Sequence, residues 1–143
     1  MAKIVANSSD YKKGFNKHYH AFRSWNRAEN TNSRRLILFY CVECGLKFLV
    51  MTGAKIYKTE NLRDSLKELI ESHDIEKLLK KSNFSGKYSF PPFETKYGDM
   101  VTVKTYHQLC RYCVEPKTTN DYEKSQIYEE QLIRLATWIE ERV

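Results

Sequence analysis

S-R-R-L-I-L-F-Y-C-V-E-C-G-L-K-F-L-V-M, residues 33–51, is the longest apolar run in the chain, and after Arg35 only Glu43 and Lys47 interrupt it. Nineteen residues of α-helix would extend roughly 28 Å. A carboxylate and an ammonium near the middle argue against a bilayer segment, where each would be costly. An apolar surface on nearly every side suits a helix enclosed by other helices. Glu43 and Lys47 stand four apart with the acid first, so they can pair along one seam. Asn32 or Ser33 can cap the start, and Thr52-Gly53 can stop the end. The stretch reads as the central helix of a bundle.

Working outward, residues 1–9 read as a loose arm. Residues 11–30 carry Phe15, Tyr19, Phe22 and Trp25 at helical steps, with basic residues on the other faces. This interleaving could serve stacking and phosphate contacts, although such a stripe is more often a buried face. Thr59-Glu60-Asn61 opens a third helix with Leu62, Leu66, Leu69 and Ile70 on one face, and Ser72-His73-Asp74 breaks or bends it. Residues 82–99 form one long irregular segment rich in aromatics, either a contact surface or a loop pinned to the bundle by its own rings. A fourth helix is expected from about Met100 to Cys113, its start made uncertain by the β-branched Val101-Thr102-Val103. Pro116 ends it. Thr119, Asn120 or Asp121 caps a last helix that runs to the C-terminus, and the Asn120/Glu123 pair has capping-box spacing. The expectation is a single all-α domain, an antiparallel bundle of about five helices.

Composition agrees. Apolar residues make up 41% of the chain, with ten Tyr, seven Phe and two Trp, which excludes a disordered chain. Five Gly, three Pro and no sustained alternation favour helix over sheet. The net charge of +6 is concentrated at one end. Lys3, Lys12, Lys13, Lys17, Arg23, Arg27, Arg34 and Arg35 face only Asp10 and Glu29 in residues 1–35, and the remainder is balanced. Such a patch suits RNA, DNA or an acidic partner, or is a solvated face with a basic arm. The N-terminus lacks a sustained apolar core, so a cytoplasmic protein without membrane contact is expected. Cys41-x-x-Cys44 and Cys110-x-x-Cys113 have zinc-like spacing, but lack the glycines of a zinc ribbon; reduced thiols at helix crossings are the plainer reading.

The order of segments is A-F-R-S-W-N-R-A-E, then R-R-L-I-L-F-Y-C-V-E-C-G-L-K-F-L-V-M, then L-R-D-S-L-K-E-L-I, L-C-R-Y-C-V-E-P and a final helix ending L-A-T-W-I-E-E-R-V. This resembles the HEPN superfamily, small helical domains of prokaryotic toxin–antitoxin, abortive-infection and CRISPR-linked defence proteins. V-E-C-G-L-K, residues 42–47, matches the Glu and Lys that the family tends to carry four apart in its second helix. The resemblance implies a homodimer, an RNA-directed function and no metal. In the family's ribonucleases an Arg followed after four to six residues by His supplies proton transfer and phosphate stabilisation. The matching Arg here is Arg111, and no His follows it. His107 and Arg111 lie four apart in the reverse order and could still share a phosphate. Arg111 could instead pair with Glu115 or Glu43. The site expected from the sequence is therefore Arg111 and His107 for catalysis, with Lys12, Lys13, Lys17, Arg23, Arg27, Arg34 and Arg35 binding nucleic acid. The other hypothesis is a non-catalytic module for a partner protein from the same operon, docking on the aromatic loop at 84–97.

Overall fold

The central helix forms as expected. In the computed structural model, which describes residues 4–25 and 31–143, it is α2, Thr31–Gly53. It starts before Asn32 and Ser33, which lie in its first turn, and it stops at Gly53. Leu38, Phe39, Cys41, Val42, Leu46 and Met51 are fully buried. By length and apolarity α2 could cross a bilayer. Here the other helices of the bundle take up its apolar surface.

Helix α1, Ser8–Ser24, runs antiparallel to α2. Lys47 sits over the Tyr11 ring, Cys41 lies against the Phe15 carbonyl, and Arg34 sits over the Phe22 ring. Phe15, Tyr19 and Phe22 are buried, so the aromatic stripe is core and offers no stacking surface. Trp25 follows the helix end in an extended conformation. The arm is looser in sequence than in structure. The Ser8 N–H donates to Tyr57 O at 3.0 Å, the Thr59 N–H donates to Asn7 Oδ1 at 2.8 Å, and the Thr59 hydroxyl donates to Ala6 O.

Helix α6, Thr119–Glu140, lies beside α2 in the same direction, with Glu129 near Arg34 and Ile139 near Gly45. The long connection between them permits this parallel return. A Cβ at Gly45 would stand 2.6 Å from an Ile139 methyl and 2.8 Å from the Phe15 ring. Three helices converge at that point, and only hydrogen fits there.

The connection holds three short helices, which makes six α-helices among the described residues. Thr59–Asn61 is a separate 3-10 turn, and buried Leu62 pins the chain before α3, Asp64–Glu71. His73 falls in the break. Asp74 caps α4, Ile75–Lys81, its Oδ1 accepting from the Lys77 N–H at 3.2 Å. Residues 82–99 turn their rings inward. Phe84 stacks on Trp138 at 4.9 Å, and Phe90 and Phe93 meet Tyr128 edge-on at 5.2 and 5.3 Å. Only Tyr97 of this segment's aromatics is exposed, so the segment is pinned to the bundle rather than offered as a contact surface.

The fourth helix begins later than expected. Phe93–Glu94 (β1) pairs antiparallel with Met100–Val101 (β2), and the helix α5 runs only from Tyr106 to Tyr112. The β-branched run at 101–103 favours extended backbone over a helix start. Cys113 ends α5 in the left-handed region, φ 54°. The cap of α6 is Thr118, one residue before the first of the expected candidates: Thr118 Oγ1 accepts from the Asp121 N–H, and Asp121 Oδ2 accepts from the Thr118 N–H.

Candidate functional site

The seam on α2 is the starting point. Glu43 and Lys47 are buried, and Lys47 Nζ lies 3.6 Å from Glu43 Oε1, the pairing their spacing predicts. A buried carboxylate needs more than one partner to offset its lost hydration. The second partner is His73, whose Nδ1 stands 2.5 Å from the same oxygen. With Nδ1–H donating to the carboxylate, the ring is held in one tautomer and orientation, and Nε2 is left uncommitted.

His73 lies against a second imidazole. Its centroid is 4.6 Å from that of His107, and His107 stacks on Phe39 of α2 at 5.2 Å. His107 is 4% exposed, and its Nδ1 is buried without a hydrogen-bond partner. Protonation would place a second N–H on this ring with no acceptor for the Nδ1 side. Burial, followed by neighbouring His73 and the Arg111 charge, pushes the His107 pKa below its ordinary value, with Glu43 opposing. His107 is therefore a neutral imidazole near pH 7.

Both histidines line a cleft of about 820 Å³. Its lining takes Leu66 and Leu69 from α3, Lys77, Lys80 and Lys81 from α4, and Lys104 from the turn before α5. Asp74 is buried and lies 3.7 Å from Lys104 through Oδ2. Four lysines against Glu68 and Asp74 leave the lining positive. A carboxylate-oriented imidazole beside a neutral one, in a cleft with a positive lining, can exchange protons with a bound phosphate ester while the lysines neutralise its charge.

The residues expected to form the site fare unevenly. His107 is in the cleft. Arg111 is exposed one turn further along α5, close enough to act on His107 through its charge. It donates to the Tyr40 hydroxyl rather than to Glu43 or Glu115. Lys12, Lys13, Lys17 and Arg23 are exposed on α1, but Arg23 bridges to Glu140 at 3.3 Å and Lys12 sits over the Phe48 ring. Arg27 lies outside the described residues. Arg34 and Arg35 do not belong to a nucleic-acid surface. Their guanidiniums are 2.5 and 3.0 Å from the Glu129 carboxylate, with Arg34 buried, so they staple α2 to α6. The positive surface at the histidines is built from lysines of residues 77–104, whose local excess disappears when charge is summed over the balanced stretch 36–143.

The cysteine pairs turn to different neighbours. Cys41 and Cys44 face α1 at Phe15 and Gly14, Cys110 is buried in the core, and Cys113 is exposed. Among the described residues no group of three or more metal-ligating side chains comes together. The four-thiolate zinc arrangement is therefore not assembled.

His73 is the cleft residue that sequence reasoning passed over as a helix break. The signal for it was indirect: a buried Glu43 that Lys47 alone could not satisfy. No family model, curated protein or solved structure matches the chain.

Proposed function

We propose that this chain is a HEPN-like, RNA-directed protein of a prokaryotic defence or toxin–antitoxin system, acting as a homodimer and meeting the RNA backbone at the His73–His107 cleft. The observation that carries this reading is the Glu43–His73–His107 array beneath four lysines. The Glu43/Lys47 seam on the second helix also fits the family pattern. Neutral His107 is the base that takes the 2′-hydroxyl proton. The 2′-oxygen then attacks phosphorus, and the bond to the 5′-oxygen breaks. His73 enters the step with a proton on Nε2 besides the Nδ1–H that Glu43 holds, gives the Nε2 proton to that leaving oxygen, and recovers one from His107 to close the cycle. The products are a cyclic phosphate and a free 5′-hydroxyl, so no metal and no external reactant are needed. Two imidazoles with a cationic rim supply acid, base and charge stabilisation together. The missing His after Arg111 is replaced in this scheme by His73, brought in from another part of the chain.

The test is incubation with RNA in the presence of a chelator, beside His107→Gln, His73→Asn and Arg111→Ala variants. Cleavage that survives the chelator and falls by about 10²-fold or more in either histidine variant supports the scheme. Intact RNA with no salt-dependent retardation would overturn it and leave the partner-protein module as the better reading.

A further inference from the structure

A phosphodiester alone does not need a cleft of this size or asymmetry. About 820 Å³ lies in the range of sites for molecules larger than a single anion. Its lining is of two kinds, contributed by different elements. Helix α3 presents Leu66 and Leu69, both only partly buried although packed against the core, with Glu68 on the same helix. Helix α4 and the turn before α5 add a cationic part, through Lys77, Lys80 and Lys104. An apolar part and a cationic part in one cleft match a molecule with a flat, poorly hydrated end and an anionic end. Glu68 adds an acceptor at the apolar side, where exocyclic amino groups of a base could donate.

We propose that the Leu66–Leu69 stretch is a subsite for one unstacked nucleobase, whose own phosphate is held by the lysines of the same cleft. This rests on the reading of the cleft as an RNA site and adds the statement that one nucleotide leaves its stack to enter it. A base in a continuous duplex cannot reach the subsite without unpairing, which costs a few kcal/mol. The cleft therefore discriminates for unpaired nucleotides. The apolar contact and the lysines act on different parts of the same ligand and are separable by experiment.

The experiment is fluorescence anisotropy with short 2′-O-methyl RNA, in which the blocked 2′-oxygen prevents cleavage. Three ligands are compared: the single strand, the same strand with one abasic position, and the blunt duplex. Expected is about tenfold tighter binding of the intact strand than of either other ligand, in line with the value of base burial against a side chain. In Leu69→Asn and Leu66→Asn, checked for folding by circular dichroism, the preference for intact over abasic strand disappears while abasic binding is kept. Equal affinity for all three ligands in the unaltered protein overturns the subsite and leaves the RNA reading standing. No binding of any ligand overturns both. The comparison on the unaltered protein decides the matter even where a variant fails to fold.

Discussion

Removing the Glu129 carboxylate is the sharpest test of how the bundle is held. Arg34 is 7% exposed in its side chain, Arg35 12% and Glu129 17%, and one carboxylate serves both guanidiniums. Arg34 Nε has no partner even in the intact protein. In Glu129→Ala, both charges would remain in a poorly hydrated site. Breaking a buried pair from one side costs about 3–5 kcal/mol. The partial exposure of Glu129 and Arg35, and the Arg34 stack on Phe22 that survives, place the expected loss near the lower end, about 3 kcal/mol. That is a large share of a typical total of about 5–15 kcal/mol. The double variant Arg34→Met, Glu129→Leu removes the closest pair, leaving Arg35 to reach solvent, and should lie closer to the parent than Glu129→Ala does. Urea titration with the slope held common to all variants measures both. A loss below about 1 kcal/mol in Glu129→Ala would refute the staple and return the two arginines to the solvent.

Gly45→Val forces side-chain carbon into the convergence of α1, α2 and α6, where Ile139 already lies 2.6 Å from the Cβ position. The overpacking should cost about 1–3 kcal/mol in thermal or urea unfolding despite the better helix propensity; an unchanged or raised stability would contradict the close approach. His107 has a folded-state pKa below its ordinary 6.5, so the unfolded chain binds the extra proton first as pH falls. Stability should drop as pH is lowered below about 6.5, and the slope should be weaker in His107→Phe, which keeps the ring on Phe39; an identical slope in both proteins would locate the titration elsewhere. Burial pushes the Cys44 thiol up to about 11 and Cys110 up to about 12, and raises Cys41 further, whereas Cys113 is exposed. A thiol reagent near pH 8 should label one cysteine quickly and the other three only on unfolding; four equally fast thiols would contradict the burial.

The helices that could be anticipated were those whose pattern is local. The 33–51 run, the Phe15–Tyr19–Phe22 stripe and the apolar face of α6 each carry a period that burial enforces wherever neighbouring helices happen to lie. Boundaries were less legible. Met100–Val101 belongs to a β-ladder and Val103 to the turn before α5; the β-branching of the run hinted against a helix there, while the partner strand at Phe93–Glu94 gave no comparable sign. The cap fell on Thr118 rather than on Thr119, Asn120 or Asp121 because all four residues satisfy the same hydrogen-bonding rule, and Thr118 with Asp121 completes a capping box of its own. The clustering of arginines at 34 and 35 with the basic N-terminal quarter also misled, since charge counting along the chain is blind to a carboxylate ninety-four residues away.

What this sequence decided alone is the central rod, its buried Glu43/Lys47 seam and the all-helical class, because hydrophobic period and i,i+4 spacing act within a few turns of one chain segment. The cleft was decided only in three dimensions. Glu43, His73 and His107 come from α2, from the break between α3 and α4, and from α5, and none of their separations matches a local repeat. They meet because the core draws those segments onto α2. The buried carboxylate then has to find its partner among the side chains that folding places beside it.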